Sequence, residues 1–170
     1  MIEFKIIWIL VILFLFSGCT QPIEIPEKPT NFDIHYSFGV GEGNILDTEN
    51  SLYVKDMICD PSVEYEFILS EYEKQAIYGS IKENDLFNIK SGFTENCNLI
   101  GTCIGVSPMA SSTLRIIVDG KNKEIIYIGN YIHSDDPELK RFQNVTTIIQ
   151  EIISKKEKEM NIEQPTCGYI

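Results

Sequence analysis

Along much of the chain, apolar and polar positions alternate. In residues 32–38, FDIHYSF, the side chains of Phe32, Ile34, Tyr36 and Phe38 are apolar and their neighbours polar. A period of two marks a strand with one buried face. The stretch that follows, GVGEGN, is a glycine-rich turn. Two further strands are expected at SLYVKDM, 51–57, and VEYEFIL, 63–69. In the second, Val63, Tyr65, Phe67 and Leu69 share a face, with Glu64 and Glu66 opposite. FNIKSGF, 87–93, reads as a short strand, followed by a loop from about Thr94 to Ala110 that holds two cysteines. Residues 112–130, STLRIIVDGKNKEIIYIGN, give the strongest hairpin signal. Two β-branched runs flank Asp119-Gly120, a dipeptide suited to a tight primed turn.

Two segments carry the period of a helix instead. Ser70-Glu71-Tyr72-Glu73 is a capping box, in which the serine hydroxyl accepts from an early backbone N–H and Glu73 reaches back. The helix it opens runs to about Asn84, with Tyr72, Ala76, Ile77 and Ile81 expected to face inward. Gly79 in its interior costs up to about 1 kcal/mol relative to alanine. A second helix opens at Pro137, a residue suited to the first helical position, with Asp135 or Asp136 as its cap. Leu139, Phe142, Val145, Ile149, Ile152 and Ile153 follow helical spacing, and KKEKE supplies a solvated end. Elements of these types in this order predict a single α+β domain over residues 32–170, a small antiparallel sheet packed by two helices.

The N-terminus breaks both patterns. Residues 6–16, IIWILVILFLF, are eleven apolar residues without interruption, preceded by Lys5 and closed by Ser17 and Gly18 before Cys19. A membrane span needs about 20 apolar residues, whereas the core of a signal peptide needs about 7–15. An uncleaved signal anchor with Cys19 an incidental thiol is the alternative, and the run is short for it. Residues 1–19 resemble bacterial-type lipoproteins, whose signal peptides end in Leu, a small residue, Gly or Ala, then Cys; here the four are Phe16-Ser17-Gly18-Cys19. The resemblance implies that residues 1–18 are removed and that Cys19 is the lipid attachment site, through a thioether-linked diacylglycerol. It places the protein on a membrane, facing the extracytoplasmic side. Residues 19–31 then carry Pro22, Pro26 and Pro29. Spaced prolines favour an extended chain of about 3.1 Å per residue, a tether on the order of 35 Å long.

Charge and cysteine count narrow the partners. The formal net charge is −11, unchanged by loss of Glu3 and Lys5 with the leader. An acidic surface with no basic stripe is repelled by phosphate backbones, so no nucleic-acid partner is expected. Apart from Cys19 the cysteines are Cys59, Cys97, Cys103 and Cys167, an even number in a chain read as exported. Exported compartments permit disulfides, and four cysteines allow three connectivities. Proximity in the chain favours Cys97–Cys103, which leaves Cys59–Cys167 to pin the C-terminal tail. The closest pair is C-x₅-C, and His35 and His133 stand at no metal-binding spacing, so neither metal nor cofactor is expected.

Several stretches invite a chemical reading and fall short of it. Gly39-Val40-Gly41-Glu42-Gly43 lacks the third glycine and following helix of a dinucleotide fingerprint. GVSPM around Ser107 has Met109 where a nucleophile elbow needs glycine. His35 and His133 have no partner set for general-base work that the sequence specifies, and Asp135-Asp136 fits a helix cap better than a calcium loop. Asn144-Val145-Thr146 is the single N-glycosylation sequon, on the polar side of its helix. The strand aromatics Tyr36, Phe38, Tyr53, Tyr65 and Phe67 either line a binding face or form the core face, and the core face is the expectation. No catalytic set is assigned. The sequence therefore reads as a lipid-anchored, extracytoplasmic binding or interaction module of the cell envelope, with an envelope protein or small ligand as partner. The alternatives are an envelope hydrolase with dispersed catalytic residues and a structural or inhibitory envelope protein.

Overall fold

In the computed structural model, which describes residues 22–94, 108–129 and 135–169, the first alternating run forms a central strand, β1 (Phe32–Val40). Its inward side chains Ile34 and Tyr36 are fully buried. The chain turns back as β2 (Asn44–Asp47) and continues outward as an antiparallel meander through β3 (Leu52–Met57) and β4 (Asp60–Glu66). Helix α1 (Glu71–Glu83) then crosses to the opposite edge of the sheet, where a 3₁₀ turn at Leu86–Asn88 leads into β5 (Gly92–Thr94). A hairpin of β6 (Ala110–Val118) and β7 (Lys121–Ile128) fills the gap between β1 and β5. The strand order is β4-β3-β2-β1-β6-β7-β5. Helix α2 (Pro137–Glu159) packs with α1, and both bury their apolar stripes in one core with the inward side chains of the strands.

The α+β class stands, but the sheet is neither small nor wholly antiparallel. It has seven strands, and β5 pairs with β7 in parallel, Gly92 opposite Ile126 and Thr94 opposite Ile128. The extra strand β2 is only four residues long, too short to display a period of its own. The strand expected at 87–93 shrinks to Gly92–Thr94 because Leu86–Asn88 coils, which lets Leu86, Phe87 and Ile89 all reach the core. Strand β4 begins earlier than expected, at Asp60, and as an edge strand it leaves Val63 37% exposed. Phe67 and Leu69 stay buried beyond its end.

Local chemistry accounts for the elements that match. The β6–β7 turn places Asp119 and Gly120 at φ 45° and 81°, the left-handed pair a primed turn requires. At α1 the capping box is complete, Ser70 Oγ accepting from the Glu73 N–H while the Glu73 carboxylate accepts from the Ser70 N–H at 2.7 Å. Asp136 caps α2, accepting from the N–H groups of Glu138 and Leu139 at 2.9 and 3.3 Å. Tyr72, expected inward, is 81% exposed. It lies five positions before Ile77, which at about 100° per residue puts it on another face.

The end of α2 is solvated only in part: Lys155, Lys158 and Glu159 are exposed, whereas Lys156 and Glu157 turn inward. The Glu157 carboxylate is turned to the sheet with its side chain only 12% exposed, and Oε1 accepts from the Tyr53 hydroxyl at 2.6 Å and from Lys55 Nζ at 2.7 Å. Beside it Lys156 pairs with Glu73 at 3.5 Å and lies over the Phe67 ring. Burial pushes the Glu157 carboxyl up, but donation from Lys55 and Tyr53 outweighs it and holds the group below the usual glutamate range. Glu73 is held low in the same way, burial being offset by Ser70 and Lys156. The Tyr53 hydroxyl moves the other way, pushed up by burial and by Glu157.

A carboxyl depressed in the folded state contributes stability above its unfolded pKa, about 4.3, and loses it as pH falls through the folded value. Urea unfolding of the wild type is therefore expected to weaken steeply below about pH 4.3, and Glu157→Gln to show a shallower acid dependence. At pH 7, Glu157→Ala strands the buried Tyr53 hydroxyl and the Lys55 charge and is expected to cost about 2–4 kcal/mol in the same assay.

Candidate functional site

The proline-spaced segment, read from sequence as a free tether, lies along the domain from Ile23 onward. Ile23 donates its N–H to Asn88 Oδ1 at 2.7 Å, and its carbonyl accepts from Asn88 Nδ2 at 3.2 Å. The Pro26 carbonyl accepts from the Tyr78 hydroxyl, the Glu24 carbonyl from Lys121, and Glu27 pairs with Lys82. Thr30 and Asn31 donate their N–H groups to Asp119 Oδ1 at 2.9 and 2.8 Å, so the residue that shapes the hairpin turn also holds this segment.

Between this segment and α1 runs a groove of about 780 Å³. Phe32 and Tyr78 line it, packed edge to face with ring centroids 5.2 Å apart, together with the bare backbone of Gly79. Lys28, Lys74, Lys82, Glu27, Glu71 and Glu83 supply charge of both signs around it. The Tyr78 hydroxyl is pushed up, first by burial and then by the charges of Asp119 and Glu27, so it stays a neutral donor at physiological pH. A mixed groove of this kind suits a ligand with an apolar face and polar or charged ends. Nothing in it supplies a nucleophile paired with a base.

No described helix packs on the opposite face of the sheet. The strand registers set a row of charged residues across it: Asp47 on β2, His35 on β1, Arg115 on β6 and Glu124 on β7. Asp47 is held low: burial raises it, while donation from Asn50 and the nearby His35 lower it. In the next row, Glu42 folds back from the β1–β2 turn and accepts from the hydroxyls of Ser37 and Thr113, the latter at 3.1 Å. The buried Arg115 Nε has no hydrogen-bond partner among the described residues. His35, the one histidine among the described residues, thus sits in a charged row on a sheet face.

Cys59, in the β3–β4 turn, and Cys167, in the C-terminal tail, lie at disulfide distance with Cα atoms 6.3 Å apart. The tail is held further by Tyr169, whose hydroxyl donates to Asp56, and by Gln164 on Glu157. Cys19, Cys97, Cys103, Ser107 and His133 lie outside the described residues. The glycine-rich GVGEG is a hairpin turn with Glu42 and Gly41 both at positive φ, and opens no helix. Asp136 is a cap, held below its ordinary pKa by Lys90 and, secondarily, by the helix N–H groups it caps. Asn144 is exposed and donates to Asn84 at 3.0 Å. Tyr36, Tyr53 and Phe67 are core residues. Among the described residues no group of His, Cys, Asp and Glu is placed to hold a metal, and no helix is long and apolar enough to cross a membrane. The groove itself leaves no mark in the sequence, where Phe32 reads as a strand residue, Pro29 as part of a tether, Glu71 as part of a helix cap and Gly79 as a cost to its helix.

A non-reducing peptide map is expected to recover Cys59 and Cys167 in one cross-linked fragment. A bond closing 108 residues stabilises by about 4–5 kcal/mol on chain-entropy grounds, so the Cys59→Ala, Cys167→Ala double variant is expected to lose most of that in urea.

No family model matches the chain, and no curated protein is found similar to it.

Proposed function

We propose that the protein is a lipid-anchored module on the extracytoplasmic side of a membrane, which binds a ligand or partner and performs no chemistry of its own. The short apolar run closing in Phe16-Ser17-Gly18-Cys19 supports the anchor. The observation that carries the binding part is Gly79. Glycine in a helix interior costs up to about 1 kcal/mol. A Cβ there meets nothing within 4 Å, so neither sterics nor backbone conformation asks for glycine. What glycine does is leave that stretch of the groove bare, so that a ligand can approach the helix backbone beside Phe32 and Tyr78. Local rules broken without structural reason are where function is expected to compensate.

Two measurements test the two halves. Native, non-reducing intact mass of the chain drawn from its own membranes is expected to give a start at Cys19, added acyl groups and the loss of four hydrogens. A chain still beginning at Met1 with free thiols would overturn the anchor. Gly79→Ala is expected to raise stability by up to about 1 kcal/mol. Gly79→Trp is expected to fold and to lose any small molecule that copurifies with the wild type. A ligand retained unchanged by Gly79→Trp removes the groove as its site.

A further inference from the structure

We infer that residues 23–31 form a strap that keeps the domain against the lipid headgroups, with the β6–β7 turn toward the bilayer and the β1–β2 turn away from it. This rests on the anchor reading above. If Cys19 holds the lipid, what matters is how much chain separates it from the first residue fixed to the domain. Ile23 is fixed, both of its backbone polar groups being bonded to Asn88. From there to Asn31 the chain is held by Lys121, Tyr78, Lys82 and Asp119. Four peptide units remain between Cys19 and Ile23, a reach of at most about 14 Å. A wholly free segment would reach about 35 Å.

So short a leash decides which surface meets the membrane. Around Ile23, itself 45% exposed, lie Asn88, Asp85, Glu24 and Lys82, with no net positive charge to attract anionic lipid. The domain as a whole is acidic, and anionic headgroups repel it. Contact is therefore imposed by the tether's length, which sets a high effective concentration of this surface at the bilayer. The opposite end of the sheet follows from the registers. Val40 stands opposite Ala110, Gly129 donates to the Ala110 carbonyl, and β5 ends at Thr94 opposite Ile128. The β1–β2 turn and the Cys59–Cys167 turn share that end. The nine residues of β6 separate the two ends by on the order of 27 Å.

Energy transfer to labelled lipid measures this directly. Trp8 is the only tryptophan and leaves with the signal peptide, so one introduced tryptophan reports alone. Full-length precursor is expressed, and the mature chain is reconstituted in phosphatidylcholine–phosphatidylglycerol vesicles containing dansyl-phosphatidylethanolamine. Asn122→Trp, near the β6–β7 turn, is expected to transfer efficiently and Met109→Trp, at the far end, weakly. Loosening the strap with Asn88→Ala and Asp119→Gly, a pair that keeps the turn's positive φ available and leaves the contacts of Lys121, Tyr78 and Lys82 in place, is expected to lower transfer from position 122. Inserting about a dozen Gly-Ser residues after Pro22 lengthens the leash without touching the fold and is expected to do the same. Equal transfer from both positions in the unaltered strap, or no change on insertion, overturns the inference while leaving the anchor intact. A chain that fails to stay with the vesicles overturns the anchor reading itself.

Discussion

The Glu157 carboxylate is the point on which three parts of the molecule converge. It sits in the last turns of α2, accepts from Tyr53 and Lys55 on β3, and receives Gln164 from the tail that carries Cys167 back to Cys59. Tyr53 is fully buried, so its hydroxyl has few partners to choose from. A buried donor left unpaired costs about 1–3 kcal/mol, which makes the position of α2 along the sheet a matter of hydrogen bonding as well as of apolar packing. Lys156, one residue earlier, reaches Glu73 and so ties the same turn to the cap of α1. Apolar burial is non-directional, whereas a carboxylate that must meet a tyrosine and a lysine adds a directional constraint on the helix's register.

This also explains which parts of the fold were legible in the sequence. Period-two runs, β-branched runs and the Asp119-Gly120 turn announced β1, β3, β6, β7 and the later part of β4, and the caps placed the helix starts at Ser70 and at Asp135 or Asp136, of which Asp136 is the cap. Those signals are local: each depends on residues a few positions apart. What stayed hidden was decided by distant partners. Strand β2 exists because β1 and β3 offer backbone on both sides, and the three residues of β5 pair only because α1 delivers them to the edge of β7. Within KKEKE, Glu157 read as solvated like its exposed neighbours because nothing in the segment's own composition points to Tyr53, more than a hundred residues earlier.

The candidate site shows the same division more sharply. Its strap was visible as three spaced prolines, and composition alone made it a free spacer. The bonds that pin it come from Asn88, Asp119, Lys121 and Tyr78, residues whose own neighbourhoods gave no hint of a partner at the N-terminus. Gly79 was the one local anomaly, a helix breaker inside an otherwise well-capped helix, and it turned out to lie in the groove.

Strap and groove are not independent, because they share Tyr78. Its ring lines the groove against Phe32 while its hydroxyl holds the Pro26 carbonyl. A ligand lodged between strap and α1 touches the strap only when the strap is docked. It therefore favours the docked state by the whole of its differential affinity, and in return a docked strap strengthens ligand binding by the same factor. Several single contacts, each of modest strength, hold the strap, so a coupling of 1–3 kcal/mol is large enough to matter against them. Under the anchored reading the docked state is also the one that brings the domain to the bilayer. Ligand occupancy and the height of the domain above the membrane are then two readouts of one equilibrium.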